Sequence, residues 1–480
     1  MRRHSGFVTL SWIVLVLLLL FFHIQACDDD KEYASTLFAG KFSYTRTASM
    51  ESFNKGPVLL SSPSGNFFLS MLSCKLAIAH NDTTSSHVLV WSSIFPHCKM
   101  GNQYTLSFLK SGNFAVRVAQ NRSNTVADPV IWATSTEGRS VTTMKLKDDG
   151  NLVLYNIAND PIWQSFAHPS STLLSSQVLE QGRALSLSED LYKYSLMIEP
   201  HRAVFYLIDI ITQDRKPYWE LLPNSSINTT IAFAALDAEG HLQLYDSASN
   251  PLVVYQSGLN RDSHVKFRGE HQRATTFASN LWRAEVTSTV IGRGGSIVKY
   301  GGNLEVYHWC IREGAWTLHS RAIKNRCQFP KACPNYQVCK GAGGKCLQMN
   351  GVPINIGKAG LDGNCEKTNF VAVKNMTYFA VEMGGESNET SLAECKATCM
   401  DTCSCVAFVY RQDSVNSCYP IYSHQPLSFL AMPNSLSSVY LRIPPTSSSR
   451  ILLAGYLPLL FLLLCSSFLL SSSGKWGDRR

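Results

Sequence analysis

The 480-residue chain carries 43 lysines and arginines against 35 acidic residues, a formal charge of +8, with 15 cysteines and 45% hydrophobic residues. Arg2 and Arg3 at one end, and Lys475, Asp478, Arg479 and Arg480 at the other, hold half of that excess, leaving about +4 spread thinly between. So diffuse a charge, with no basic cluster interleaved with aromatics, excludes a nucleic-acid partner.

Arg2 and Arg3 precede an apolar run from Leu10 to Phe22 and the exit Ile24-Gln25-Ala26. A basic start, a short apolar stretch and a small residue at the exit predict a secretory signal over residues 1–26. In an exported chain, cysteines read as disulfides and not as metal ligands. The Asn-x-Ser/Thr sites at Asn81, Asn121, Asn224, Asn228, Asn375 and Asn388 predict N-glycosylation in the same compartment.

Residues 27–180 repeat one phrase three times. The copies are Ser64-Gly65-Asn66-Phe67-Phe68-Leu69 with Trp91, Ser111-Gly112-Asn113-Phe114-Ala115-Val116 with Trp132, and Asp149-Gly150-Asn151-Leu152-Val153-Leu154 with Trp163. One such unit cannot bury its own apolar face, so the copies must pack around a shared centre. Gly before Asn suits a tight turn, and the period-two run behind it reads as a strand with one buried face. The three tryptophans are then the predicted common core of a three-part all-β prism or barrel. Residues 181–320 hold a weaker set of the same kind: His201 to Tyr206 with Trp219, Glu239 to Tyr245 with Tyr255, and Gly301 to Tyr307 with Trp316. They predict a second, degenerate copy.

Between Cys98 and Cys310 there is no cysteine, whereas eleven fall between Cys310 and Cys418. The two β bodies must therefore hold by apolar burial, with Cys74 and Cys98 as a staple, and the dense region marks modules short of core. Residues 321–365 read as a compact knot. Their Gly341-Ala342-Gly343-Gly344-Lys345 stretch lacks the spacing and hydroxyl of a phosphate-binding loop. Residues 366–443 contain a capping box, Ser391-Leu392-Ala393-Glu394, opening a helix that sets Cys395 and Cys399 on one face, followed by a strand from Val406 to Tyr410. A linker, 444–450, leads to twenty uncharged residues, 451–470, long enough to span a bilayer. The basic excess in the tail, 471–480, predicts a cytoplasmic C-terminus. Ser447, Ser448 and Ser449 offer the alternative of a lipid-anchor site, although only Arg450 separates them from the apolar tail.

The first β body resembles the bulb-type mannose-binding lectins through Lys147-Asp148-Asp149-Gly150-Asn151-Leu152-Val153-Leu154-Tyr155, where that family's sugar site reads Gln-x-Asp-x-Asn-x-Val-x-Tyr. Trp163-Gln164-Ser165-Phe166, with Pro169 and Thr172-Leu173-Leu174, is similar to the stretch after that domain in S-locus-type glycoproteins. The spacing of Cys395, Cys399, Cys403, Cys405 and Cys418 resembles the PAN/apple module, and the order of parts resembles the kinase-free EP1-like glycoproteins. The resemblance implies a mainly β chain. Its parts would be two β-prism II lectin-like domains (27–180 and 181–320), an EGF-like knot (321–365), an α+β PAN/apple domain (366–443) and a C-terminal transmembrane helix. It also implies bridges Cys395–Cys418 and Cys399–Cys405, and leaves the pairing of Cys27, Cys310, Cys365 and Cys403 open.

Residues 147, 149, 151, 153 and 155 alternate, which predicts one polar face on one strand. Asp149 offers acceptors, Asn151 a donor and an acceptor, Val153 a flat apolar contact and Tyr155 a hydroxyl. Lys147 stands where the family has Gln; an ammonium donates but cannot accept, and it is placed to pair with Asp149. In the other copies the set has decayed, to Leu109, Ser111, Asn113, Ala115 and Arg117, and to Lys299, Gly301, Asn303, Glu305 and Tyr307. The expectation is a non-enzymatic, single-pass plasma-membrane glycoprotein with an extracellular N-terminal ectodomain. It would recognise mannose-type glycans weakly, or cell-surface proteins, as a co-receptor or decoy without cofactor or metal. The alternative is a wall- or matrix-associated glycoprotein without specific sugar binding. Adjacent Asp148 and Asp149 point apart on a strand, the wrong arrangement for a glycosidase pair, and neither a Gly-x-Ser-x-Gly elbow nor a His-Glu-x-x-His helix occurs.

Overall fold

The structure, a computed structural model, describes residues 33–443 apart from 49–55, 73, 82–87, 96–97, 120–127, 224–228, 256–280, 294–295, 342, 350–367, 382–387 and 413–415. The expected signal (1–26) and apolar span (451–470) lie outside the described residues, as do Cys27, Cys365, Asn121, Asn224 and Asn228. Among the described residues no helix is long and apolar enough to cross a membrane. The chain divides into two compact units, Met1–Tyr206 with Glu220–Thr289 and Gly302–Ala322, and Leu207–Trp219 with Val290–Gly301 and Ile323–Arg480.

The first unit opens with three four-stranded sheets. In chain-pairing order they are Thr36–Phe38, Val141–Leu146, Leu152–Asn156 and Pro161–Gln164; Phe42–Thr47, Gln103–Phe108, Phe114–Val118 and Val130–Ala133; and Val58–Ser61, Phe67–Leu72, Lys75–His80 and Val88–Ile94. Gln103–Phe108 alternates as its sequence requires, burying Tyr104, Leu106 and Phe108 and leaving the residues between them more exposed. The three repeat tryptophans meet edge to face, with ring centroids 6.4 Å apart for Trp91 and Trp132, 6.1 Å for Trp91 and Trp163, and 6.4 Å for Trp132 and Trp163. That T-shaped geometry suits the ring quadrupoles and closes one core shared by all three sheets. Cys74–Cys98 staples the third sheet.

Three more four-stranded sheets follow. They comprise Ala184–Glu189 to Arg215–Leu221; Leu179–Glu180 with Phe233–Leu236, Leu242–Tyr245 and Pro251–Tyr255; and Thr172–Leu174 with Trp282–Arg293, Ser296–Cys310 and Ala315–Arg321. Here Trp316 packs on Trp309 at 5.5 Å and beneath the Arg283 guanidinium at 4.9 Å, so a cation replaces part of the aromatic packing.

In the second unit, a five-stranded sheet orders Asn369–Lys374, Ser437–Ile443, Cys405–Gln412, Asn416–Tyr422 and Asn388–Glu389. Against it lies Leu392–Asp401, the one α-helix among the described residues, opened by the Ser391–Glu394 capping box. Bridges Cys395–Cys418 and Cys399–Cys405 tie the buried face of this helix to the sheet. The knot carries Cys327–Cys339 and Cys333–Cys346. It is not self-contained, because Gln337–Lys340 pairs in parallel with Ser428–Ala431, joining both regions in one sheet. Cys403 is disulfide-bonded, and Cys310 is the free thiol among the described residues.

Candidate functional site

The turn from Lys147 to Asn151 joins Val141–Leu146 to Leu152–Asn156. The Lys147 amide donates to the Asn151 carbonyl at 3.0 Å and the Gly150 amide to the Lys147 carbonyl at 3.0 Å. Gly150 is required twice, since its φ is +86° and a Cβ there would come within 2.8 Å of Leu174 Cδ1. This turn corrects the expectation of one continuous polar strand face. The strand begins only at Leu152, so Lys147, Asp149 and Asn151 converge through the turn, while Val153 is 2% exposed and offers no open apolar contact. Tyr155 is half-buried, with Lys145 Nζ 5.6 Å from its ring centroid.

The convergent groups are already hydrogen-bonded to one another. Asp149 Oδ2 accepts from Lys147 Nζ at 2.7 Å, and Oδ1 accepts from the Asn151 amide at 2.9 Å. The bond to Asp149 raises the Lys147 ammonium above its ordinary pKa against the opposing effect of burial. Asn151 is buried; its Nδ2 donates to Gln164 Oε1 at 3.0 Å, and its Oδ1 accepts from Ser165 Oγ at 3.2 Å and the Phe166 amide at 3.3 Å. Asn113 does the same work in its own copy, donating to Glu137 Oε1 at 3.0 Å and accepting from Thr134 Oγ1 at 3.1 Å and the Thr136 amide at 3.4 Å. The repeated Gly-Asn is thus a staple between a hairpin and the segment after it, a role that needs no ligand. Asp148 turns aside, accepting from the Ser64 amide at 2.8 Å, so the neighbouring carboxylates do not flank a common site.

A cavity of about 270 Å³ opens over this turn, lined by Lys147, Asp149, Asn151, Gln164, Glu180 and Arg183 among others. Val153 and Tyr155 do not line it. Gln164, Glu180 and Arg183 were not singled out as site residues from the sequence, although Gln164 lies inside the quoted Trp163-Gln164-Ser165-Phe166 motif. The other copies offer less. Asn113 and Ala115 are buried; Glu305 is buried and accepts from Tyr307 Oη and Arg321 Nε, both at 2.5 Å. Among the described residues, the sequon asparagines Asn81 and Asn375 are exposed.

The D-mannose binding lectin family model matches residues 124–192, which include this turn and its cavity, and the PAN-like domain model matches residues 365–422. The chain carries a bulb-type lectin domain and a PAN-like domain. Among relatives from Arabidopsis thaliana, the G-type lectin S-receptor-like serine/threonine-protein kinase SD3-1 is 25% identical over 60% of this chain and 36% of its own length. PAN domain-containing protein At5g03700 is 25% identical over 66% of this chain and 61% of its own. The chain therefore spans less than two thirds of either relative. A monomeric mannose-binding lectin from Gastrodia elata matches 28% of this chain and 96% of its own at 23% identity, with a TM-score of 0.19.

Proposed function

We propose that this protein is a non-enzymatic recognition glycoprotein whose lectin domain takes a mannose-type glycan weakly at the Lys147–Asn151 turn. In this reading residues 1–26 are a signal and 27–180 the lectin domain. A degenerate copy follows over 181–320, then the knot over 321–365 and the PAN domain over 366–443. Residues 444–450 link to a membrane helix, 451–470, with a short cytoplasmic tail, 471–480, so that the protein works at the cell surface through a partner.

The observation that supports the reading is the solvent-open cavity of about 270 Å³ over the turn, where Gln164, Glu180 and Arg183 add donors and acceptors to those of Lys147 and Asp149. Hydroxyls fixed on a sugar ring are read by polar groups held at fixed spacing, and a rigid turn supplies them. The Lys147–Asp149 pair sets the strength. The ammonium already holds one of the lone pairs of Asp149 Oδ2 that a sugar hydroxyl would use, and a single shallow site of this kind binds a monosaccharide in the millimolar range, about −4 kcal/mol. Useful avidity then requires several copies together.

Titration of the purified full-length protein with methyl α-mannoside by calorimetry tests this. Millimolar binding is expected, abolished by Asp149→Ala and strengthened several-fold by Lys147→Gln. Tight binding untouched by Asp149→Ala would overturn the site. A second reading, a matrix-associated glycoprotein without specific sugar binding, is favoured by the internal hydrogen bonds that already occupy Asp149 and Asn151; absence of any titratable sugar would select it.

A further inference from the structure

The second set of sheets contains a turn built on the same backbone as Lys147–Asn151 but with different chemistry. The Asp237 amide donates to the His241 carbonyl at 3.0 Å and the Gly240 amide to the Asp237 carbonyl at 3.1 Å, the same two bonds that close the Lys147–Asn151 turn. Gly240 has φ +80°, as Gly150 has +86°. At the three positions that hold Lys147, Asp149 and Asn151, this turn places Asp237, Glu239 and His241.

We propose that this turn binds a divalent transition-metal ion, with Asp237, Glu239 and His241 as ligands and His319 completing the set. The ligating atoms of the first three lie within 4.8 Å of one another, and His241 Nδ1 is 3.1 Å from Asp237 Oδ2. Zinc ligands at about 2.0–2.2 Å from the ion stand roughly 3.4 Å apart, so a small rotation of the exposed Glu239 closes the set.

Asp237 is held in place, and a metal ion would take the position of the bond between His241 Nδ1 and Asp237 Oδ2. Asp237 Oδ1 accepts from the amides of Glu239 at 3.0 Å and His241 at 2.7 Å, while Oδ2 accepts from Gln243 Nε2 at 2.5 Å. Tyr245 Oη in turn donates to Gln243 Oε1 at 2.9 Å, an outer layer of the kind that orients metal-binding carboxylates. Beneath the turn lies Trp282. Its Nε1 donates to the Ala238 carbonyl at 3.0 Å, and its ring occupies the space a Cβ on Gly240 would take. The same ring meets His319 edge-on at 4.9 Å and so brings that imidazole beside His241, with centroids 6.4 Å apart. Two imidazoles sharing one zinc ion have centroids roughly 5–6 Å apart, within a short swing of the exposed His319. Two nitrogens and two carboxylate oxygens suit zinc or copper, whereas calcium and magnesium take oxygen sets.

Calorimetric titration of full-length protein with zinc chloride, after stripping metals and alkylating the free Cys310 thiol, tests the assignment. One equivalent of zinc is expected to bind, and calcium chloride is not expected to compete. His241→Ala should weaken binding more than about a hundredfold and Gln243→Ala about tenfold, the latter separating metal tuning from mere turn stability. His201→Ala, in another hairpin, should bind as wild type does. A protein with no stoichiometric zinc, or His241→Ala and Glu239→Gln variants that keep wild-type affinity, would overturn the proposal. Circular dichroism and melting of each variant without metal would identify any that fail to fold; in that event the decision rests on Glu239→Gln, whose side chain is exposed.

Discussion

The tryptophan-centred body and the PAN-like region meet the same need, keeping a small β structure folded, by different means. Residues 36–164 carry a single bridge, Cys74–Cys98, and a continuous core running from Leu37 through Phe114 and Met144 to Trp163. Residues 369–443 have a buried cluster built largely of cystine around Phe408 and Tyr410, and their only helix among the described residues buries Cys395 and Cys399 and little else. The first region thus relies on solvent exclusion almost alone, whereas the second adds restriction of the unfolded chain to an apolar core that includes Ile421, Phe429, Val439 and Leu441. The two should answer differently to the same insult.

The largest expected difference follows from removing the helix bridges. Their sequence separations are 23 and 6 residues. Loop closure makes them worth about 3 and about 2 kcal/mol, together a large part of a small domain's stability. Replacing all four of Cys395, Cys399, Cys405 and Cys418 by alanine should expose the amides of Cys405–Gln412 to hydrogen exchange while those of Gln103–Phe108 stay protected. Protection retained in both regions would break the comparison, because the sheet would then hold without its cystines.

The converse change is Trp163→Ala. Trp163 is 9% exposed and touches both other tryptophans, so its loss should cost about 3–5 kcal/mol. All three sheets should lose protection together in urea, with Cys405–Gln412 unaffected. Trp132, which is only half-buried, should cost less when truncated. A Trp163→Ala protein as stable as wild type would show that the rings decorate the body without holding it.

The tryptophan centre and the helix start were legible in the sequence for a shared reason. Each is written in residues close along the chain, three evenly built repeats in one case and Ser391 with Glu394 in the other. The sugar-site geometry was less legible. Period-two reasoning carried the strand back through Asp149, whereas the φ of +86° at Gly150 ends it, and the true partners of Asn151 come from Gln164 to Phe166 in the following hairpin. The knot's parallel pairing with Ser428–Ala431 and the approach of His319 to His241 were not legible at all. Both join positions far apart in sequence, between which no local pattern carries information.

The smallest expected effect separates the two regions by pH. His168 stacks on Trp163 at 5.3 Å and 15°, and burial, aided by the Arg183 charge, lowers its pKa from 6.5. The folded state therefore prefers the neutral imidazole. Its stabilising contribution is complete above 6.5 and is lost as pH falls from there through the depressed folded value. In the PAN-like region Glu394 is held at about 2 by hydrogen bonds from Thr390 and Ser391, so its contribution is complete above the ordinary 4.5 and is lost as pH falls from there through about 2. Between 6.5 and 4.5 the tryptophan body should weaken slightly while the Glu394 contribution stays constant. His168→Gln should remove its share of that slope, measured as the difference in urea midpoint between mildly acidic and neutral buffer. A slope unchanged by the substitution would assign the acid sensitivity to another histidine and leave the stacked pair without a thermodynamic role.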